Sequence, residues 1–199
     1  MNIAFINGSP KPEAKSNSGI MLNLLKSKIG KEHTVFDYHV IKDKISDGIF
    51  EKLNTMDVFV LSFPLYVDAI PSHLFAMMVQ FEEYRQLNDR NKKNISVYAI
   101  MNNGFYEGKA NHIALKIVEN WCVRSGLSYG QGIGQGAGEM MSVITKVPLG
   151  HGPLKNLGKV LDELSENILS QKKGETRLFS PNFPYFGWLF MANNAFWIP

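Results

Sequence analysis

Short apolar runs and stretches of helical period alternate five times along this chain, and that alternation limits the fold more than any other feature. Residues 3–6, 34–40, 57–63, 94–101 and 127–133 read as strands. The run at 57–63, Asp-Val-Phe-Val-Leu-Ser-Phe, is the strongest and is of the kind buried on both faces. Between the strands, apolar residues recur at threes and fours: Ile20, Met21, Leu24 and Leu25; Ile49, Phe50 and Leu53; Leu74 through Tyr84; Ile113, Ile117 and Trp121. Leu154, Leu157, Leu161, Leu164 and Ile168 complete the series. Gly30 and Gly126 follow the first and fourth helices as C-cap candidates. Regular β–α alternation without a repeat or linker predicts one three-layer α/β sandwich. Its sheet is expected to be parallel and five-stranded, in the order 2-1-3-4-5. Residues 1–174 would form the domain and 175–199 an aromatic C-terminal extension.

Composition narrows the function classes. The 199 residues suffice for one sizeable core, and 45% apolar with 20% charged content is ordinary for a globular protein. Net charge is +3, with one local basic cluster at Arg90, Lys92 and Lys93, so no nucleic-acid stripe is expected. The single cysteine, Cys122, excludes an intrachain disulfide and a cysteine-based metal centre, and reads as a buried small apolar residue. No signal peptide and no run long enough to span a bilayer is evident, so a cytoplasmic location is expected.

In sheets of this order, ligands bind beyond the carboxyl ends of the strands, where the strand order reverses. Three loops lie there. The first, at 7–18, contains Asn-Gly-Ser-Pro-Lys and ends in Ser16-Asn17-Ser18 ahead of a helix. Hydroxyls, Lys11, Lys15 and the positive end of the helix suit a phosphate, although Ser and Asn are also what plain helix caps use. The second loop, at 64–71, sets Leu65, Tyr66 and Val67 between two prolines, which suits packing on a flat apolar ring. The third, Asn102-Asn103-Gly104-Phe105-Tyr106, offers amides to read the polar edge of a heterocycle. A phosphate at one end and a polar-edged ring at the other is the outline of flavin mononucleotide, FMN.

These residues resemble the NAD(P)H-dependent FMN reductase and quinone reductase branch of the flavodoxin-like flavoproteins. The resemblance rests on Asn-Gly-Ser-Pro-Lys with Ser-Asn-Ser, followed by Pro-Leu-Tyr-Val-Asp-Ala-Ile-Pro, and covers residues 1 to about 170. It implies that Ser9, Lys11, Ser16, Asn17 and Ser18 bind the FMN phosphate. It implies that Pro64, Leu65, Tyr66 and Val67 border the isoalloxazine, and Asn102, Asn103, Gly104 and Phe105 its pyrimidine side. The family often has Gly-Gly or Ser-Gly-Gly where this chain has Asn102-Asn103-Gly104. The implied activity passes a hydride from NAD(P)H through FMN to a small-molecule acceptor such as a quinone, nitro or azo compound, flavin or ferric complex. The alternative is a flavodoxin-type electron carrier. Family members commonly form homodimers with the flavin near the interface.

Other features read more plainly. The glycine-rich run 130–138 fits no dinucleotide fingerprint, and from Gly134 to Gly138 it is expected to be a flexible loop at the carboxyl end of the last strand, able to approach the flavin or close over substrate. His73 and His112 are expected at the surface, His151 in a loop able to face the site, and Glu82-Glu83 on a solvated helix face. Met77, Met78, Met140 and Met141 read as core or pocket lining. The aromatic segment 183–197 must be covered. Packing on its own body or on a second subunit is one reading, and peripheral membrane contact is the other.

Overall fold

The computed structural model describes residues 1–12, 15–88 and 93–196, with side chains through Asn194. Arg90, Lys92 and Trp197 lie outside the described residues. In chain order the elements are β1 (Asn2–Asn7), α1 (Asn17–Lys26), β2 (Thr34–His39), α2 (Asp47–Asn54), β3 (Val58–Pro64) and α3 (Ser72–Leu87). There follow β4 (Ser96–Asn102), α4 (His112–Ser125), β5 (Ser128–Gln135), α5 (Lys155–Ser170), β6 (Arg177–Phe179) and α6 (Tyr185–Met191).

Every adjacent pair in the sheet is parallel, and the order is β2-β1-β3-β4-β5-β6. The expected order is present, but the sheet has six strands and not five. The added strand pairs Arg177, Leu178 and Phe179 with Ile133, Gly134 and Gln135 of β5. Three half-buried residues are too few to show a period in sequence.

Period-two alternation sorts the strand residues between two cores. Ile3, Phe5, Val58, Val60, Tyr98 and Ile100 meet Met21 and Leu25 of α1 and Leu157, Leu161 and Leu164 of α5. Their neighbours Ala4, Ile6, Phe59, Leu61, Val97 and Ala99 meet Phe50 of α2, Met77, Met78 and Phe81 of α3, and Val118 and Trp121 of α4. The helices therefore form two outer layers, α1 with α5 and α2 with α3 and α4. Each fully buried Leu or Phe contributes about 1.5–3 kcal/mol. Cys122 is among them, and burial pushes its thiol pKa up.

Several local expectations are corrected by packing. α1 ends at Lys26 with Ser27 as its C-cap, whose N–H bonds Asn23 O, so Gly30 closes a following turn and not the helix. Glu82 is buried in the groove between α3 and α4, where Arg124 Nη2 lies 2.7 Å from its carboxylate. His73 is buried as well, its Nε2 3.0 Å from Gly8 O. The glycine run is not a loop from Gly134, because β5 continues to Gln135. A Cβ on Gly130 would stand 2.5 Å from the Tyr98 ring, and one on Gly132 2.8 Å from Leu115. The glycines mark close approach of neighbouring side chains to the strand. At the opposite end of the sheet, Arg85 is buried with its guanidinium donating to Ser125 O, Asn54 Oδ1, Lys93 O and Gly126 O.

Candidate functional site

β1 ends at Asn7, whose side chain organises the loop after it. Asn7 Oδ1 accepts from the Ser9 N–H at 3.0 Å and from the Ser16 hydroxyl at 3.4 Å. Ser16 is the N-cap of α1: its backbone is extended, at φ −92° and ψ 117°, and its Oγ accepts from Gly19 N at 3.0 Å. The amides of Asn17 and Ser18 therefore precede the first intrahelical bond and present the positive end of the helix. Ser18 Oγ accepts from Asn102 Nδ2 at 3.1 Å, which leaves its own O–H free to donate. The loop backbone is held from two sides, by His39 Nε2 donating to Ser9 O at 2.8 Å and His73 Nε2 donating to Gly8 O.

β3 ends at Pro64, and Leu65 N donates to Asn102 O at 2.8 Å. Tyr66 and Ala69 exchange two backbone bonds, of 3.1 and 3.0 Å, around Val67 and Asp68. Both central residues have positive φ, 47° and 59°, as a type I′ turn requires. A β-branched valine is poorly suited to that region, and such residues store about 1–3 kcal/mol of strain. The strain sits at the lip of the site.

β4 ends at Asn102. Asn103 N bonds Gln135 O, and Gly138 N bonds Asn103 O at 2.7 Å. These bonds draw the 3-10 turn Gly138–Ser142 against the β4 loop. Glu139 then lies directly over Gly104: a Cβ there would be 2.6 Å from Glu139 Oε1. Asn103 Nδ2 donates to Glu107 O at 3.2 Å, while its Oδ1 is buried with no partner among the described residues. Burial first, and the Glu139 charge second, raise the Tyr66 phenol pKa above its ordinary value.

The three loops border a shallow, open cleft of ≈ 80 Å³. It is lined by Ser9, Lys11, Asn17 and Ser18, by Pro64, Leu65 and Tyr66, by Asn102, Asn103 and Gly104, and by Glu139.

No protein-family model matches the chain, and no curated protein matches it in sequence. Solved structures do match. The NAD(P)H:quinone oxidoreductase from Methanothermobacter marburgensis has a TM-score of 0.62 at 12% identity, over 84% of this chain and 96% of that one. The NADPH-quinone reductase from P. pentosaceus has a TM-score of 0.61 at 13% identity, over 84% and 97%. An FMN-dependent NADH-azoreductase from Bacillus anthracis, solved with FMN, has a TM-score of 0.54 at 14% identity, over 84% and 99%. The fold is flavodoxin-like.

In this flavodoxin-like sheet the cleft lies where β1 neighbours both β2 and β3, the point at which the chain reverses its direction across the sheet. Ten of the thirteen residues expected at a ligand site line it. The other three do not. Ser16 is fully buried, its oxygen engaged in capping. Val67 is 100% exposed at the tip of its turn, and Phe105 is exposed outside the lining. His151 is also outside it, exposed, with Nδ1 3.3 Å from Leu149 O. Glu139 is the lining residue that the sequence reading missed. Its signal was its place as the first charged residue after β5, at the carboxyl edge where such sheets bind ligands.

Proposed function

We propose that the protein is an FMN-dependent oxidoreductase that passes electrons from NAD(P)H to a small acceptor of the quinone, nitro, azo, flavin or ferric-complex class. The observation that carries this reading is the polarity of one cleft: hydroxyls, helix amides and Lys11 at one end, and amide groups beside an aromatic ring at the other. The fold is shared with an FMN-dependent azoreductase and two quinone reductases, which supports the same class of chemistry.

The residues present fit FMN. At the α1 end, the Ser9 and Ser18 hydroxyls, the first amides of the helix and Lys11 are donors suited to a phosphate dianion. Asn17 Oδ1 is buried there without a partner among the described residues, and an amide flip would turn an N–H donor to the same place. At the other end, Asn103 Oδ1 is a buried acceptor whose amide nitrogen is already engaged, so it suits a ring N–H. Pro64, Leu65 and Tyr66 would cover a ring face and exclude water from it. When bound, FMN supplies the hydride and electron chemistry. The chain's part is to bind, orient and desolvate. Among the described residues, the ionisable side chains lining the cleft are Lys11, Tyr66 and Glu139, which is no general acid–base pair. Homodimerisation, with the exposed Val67 and Phe105 beside the cleft, belongs to the same proposal.

Anaerobic mixing of the FMN-loaded protein with NADPH or NADH tests it. The flavin's visible absorbance should bleach and return when a quinone is added. A protein that holds FMN but is not bleached is an electron carrier, and one that binds no FMN has neither function.

A further inference from the structure

From Leu178 to Pro199 the chain carries no Asp, Glu, Lys or Arg, although one residue in five is charged over the whole sequence. The structure divides this segment into an anchored side and an open side. Trp188 is buried against Ala137, Met140 and Ala192, and its ring lies 5.7 Å from that of Tyr106. The Tyr106 hydroxyl donates to Phe183 O at 2.6 Å. On the open side, Phe186 is 78% exposed and Phe190 69%, with Tyr185 and Leu189 beside them. Four large apolar side chains on one short helix are left facing solvent.

The surroundings say what covers them. The tail docks on the segment after the Glu139 turn: Ile144 packs on the Trp188 cluster, Asn182 N bonds Pro153 O, and Asn156 Nδ2 donates to Ser180 O. Between Met140 and Leu161 that segment has no carboxylate, and its charges are Lys146, Lys155 and Lys159. All three lysines are exposed, and none forms an ion pair among the described residues. The rim of a protein–protein interface is polar and matched in charge to its partner. The next acids on α5, Asp162 and Glu163, are paired with Lys28 and Arg177. An uncharged aromatic face docked on a stretch that carries three unpaired lysines matches the anionic headgroups and acyl boundary of a bilayer. No described helix is long enough and apolar enough to cross a membrane, so the contact is with the surface.

We propose that the α6 face, with Phe186 and Phe190 as its insertion points and Lys146, Lys155 and Lys159 as its electrostatic partners, docks on an anionic lipid bilayer.

The test is flotation of the full chain with phosphatidylcholine vesicles, with and without phosphatidylglycerol. The protein should float with the anionic vesicles and be released by added salt. Phe186→Ser with Phe190→Ser should weaken partitioning by roughly 100-fold, because two exposed rings lose their burial in lipid. Lys146→Gln, Lys155→Gln and Lys159→Gln together should weaken it by roughly 100-fold on anionic vesicles, at about fivefold per lysine, and leave neutral vesicles unaffected. This second variant keeps every aromatic contact and decides the matter if the first fails to fold. Three results would overturn the proposal: no flotation with anionic vesicles, flotation indifferent to both variants, or a dimer that the phenylalanine variant splits while vesicles bind neither form. The last would assign the face to a second copy of this chain.

Discussion

The two ends of the cleft are built in different ways. The α1 end is made within one stretch, from Asn7 to Ser18: Asn7 Oδ1 holds Ser9 and Ser16, and Ser16 caps the helix that presents Ser18. The other end joins Asn103 and Gly104 to Glu139, through backbone bonds between the β4 loop and the chain that leaves β5. The chemistry differs in parallel. Among the described residues, the first end has hydroxyls, amides and Lys11 and no carboxylate, whereas the second has amides and the carboxylate of Glu139. A phosphate is attracted to the first and repelled from the second, so an elongated anionic ligand has one orientation in the cleft.

Four variants break or sharpen that contrast. The largest effect belongs to Ser9→Ala combined with Ser18→Ala. Hydrogen bonds to a charged group contribute about 1.5–3 kcal/mol each, so FMN affinity should fall by about 100-fold or more. Riboflavin, which lacks the phosphate, should bind as before, as fluorescence titration of both flavins would show. Asn103→Ala acts at the other end and should weaken FMN and riboflavin alike, by about 3- to 10-fold, the loss of one neutral hydrogen bond. A loss confined to FMN would reverse the assigned orientation. Ser16→Ala separates capping from ligand contact. Urea denaturation should show a loss of about 1 kcal/mol of stability, with only a small change in flavin affinity.

The smallest effect is electrostatic. Tyr66 holds its proton more tightly in the folded protein, through burial and then through Glu139. Its contribution to stability is therefore complete below the ordinary tyrosine pKa of about 10 and is lost as pH rises through the raised value. Glu139→Gln should lower the Tyr66 pKa without returning it to the ordinary value, because burial is the larger cause. Ultraviolet difference titration, with Tyr66→Phe to assign the signal, reads this shift.

The same contrast explains what was legible in the sequence. Strands β1 to β5 and the helices between them follow from apolar periodicity, because each buries residues on a regular face. The α1 end was legible because its hydrogen bonds run between residues 7 and 19. Even so, spacing did not distinguish Ser16, which faces inward to cap, from Ser18, which lines the cleft. Glu139 was not legible from any motif, since it reaches Gly104 only after β4 and β5 have paired. His73 and Glu82 misled for a related reason. Each is polar on a helix that looks solvated at that position, and each is buried by a partner distant in sequence, Gly8 O for one and Arg124 for the other. The glycines of β5 carried a signal of absence: their missing Cβ atoms make room for Tyr98 and Leu115, which no local pattern announces.

The central claim is that the cleft holds a flavin with its phosphate at the N-terminus of α1. The most direct test is side-by-side titration of the protein with FMN and riboflavin at one pH and ionic strength. The account predicts that FMN binds at least about 100-fold more tightly, the contribution of two or more charge-assisted hydrogen bonds to the phosphate. Equal affinity for the two flavins, or binding of neither, would contradict it.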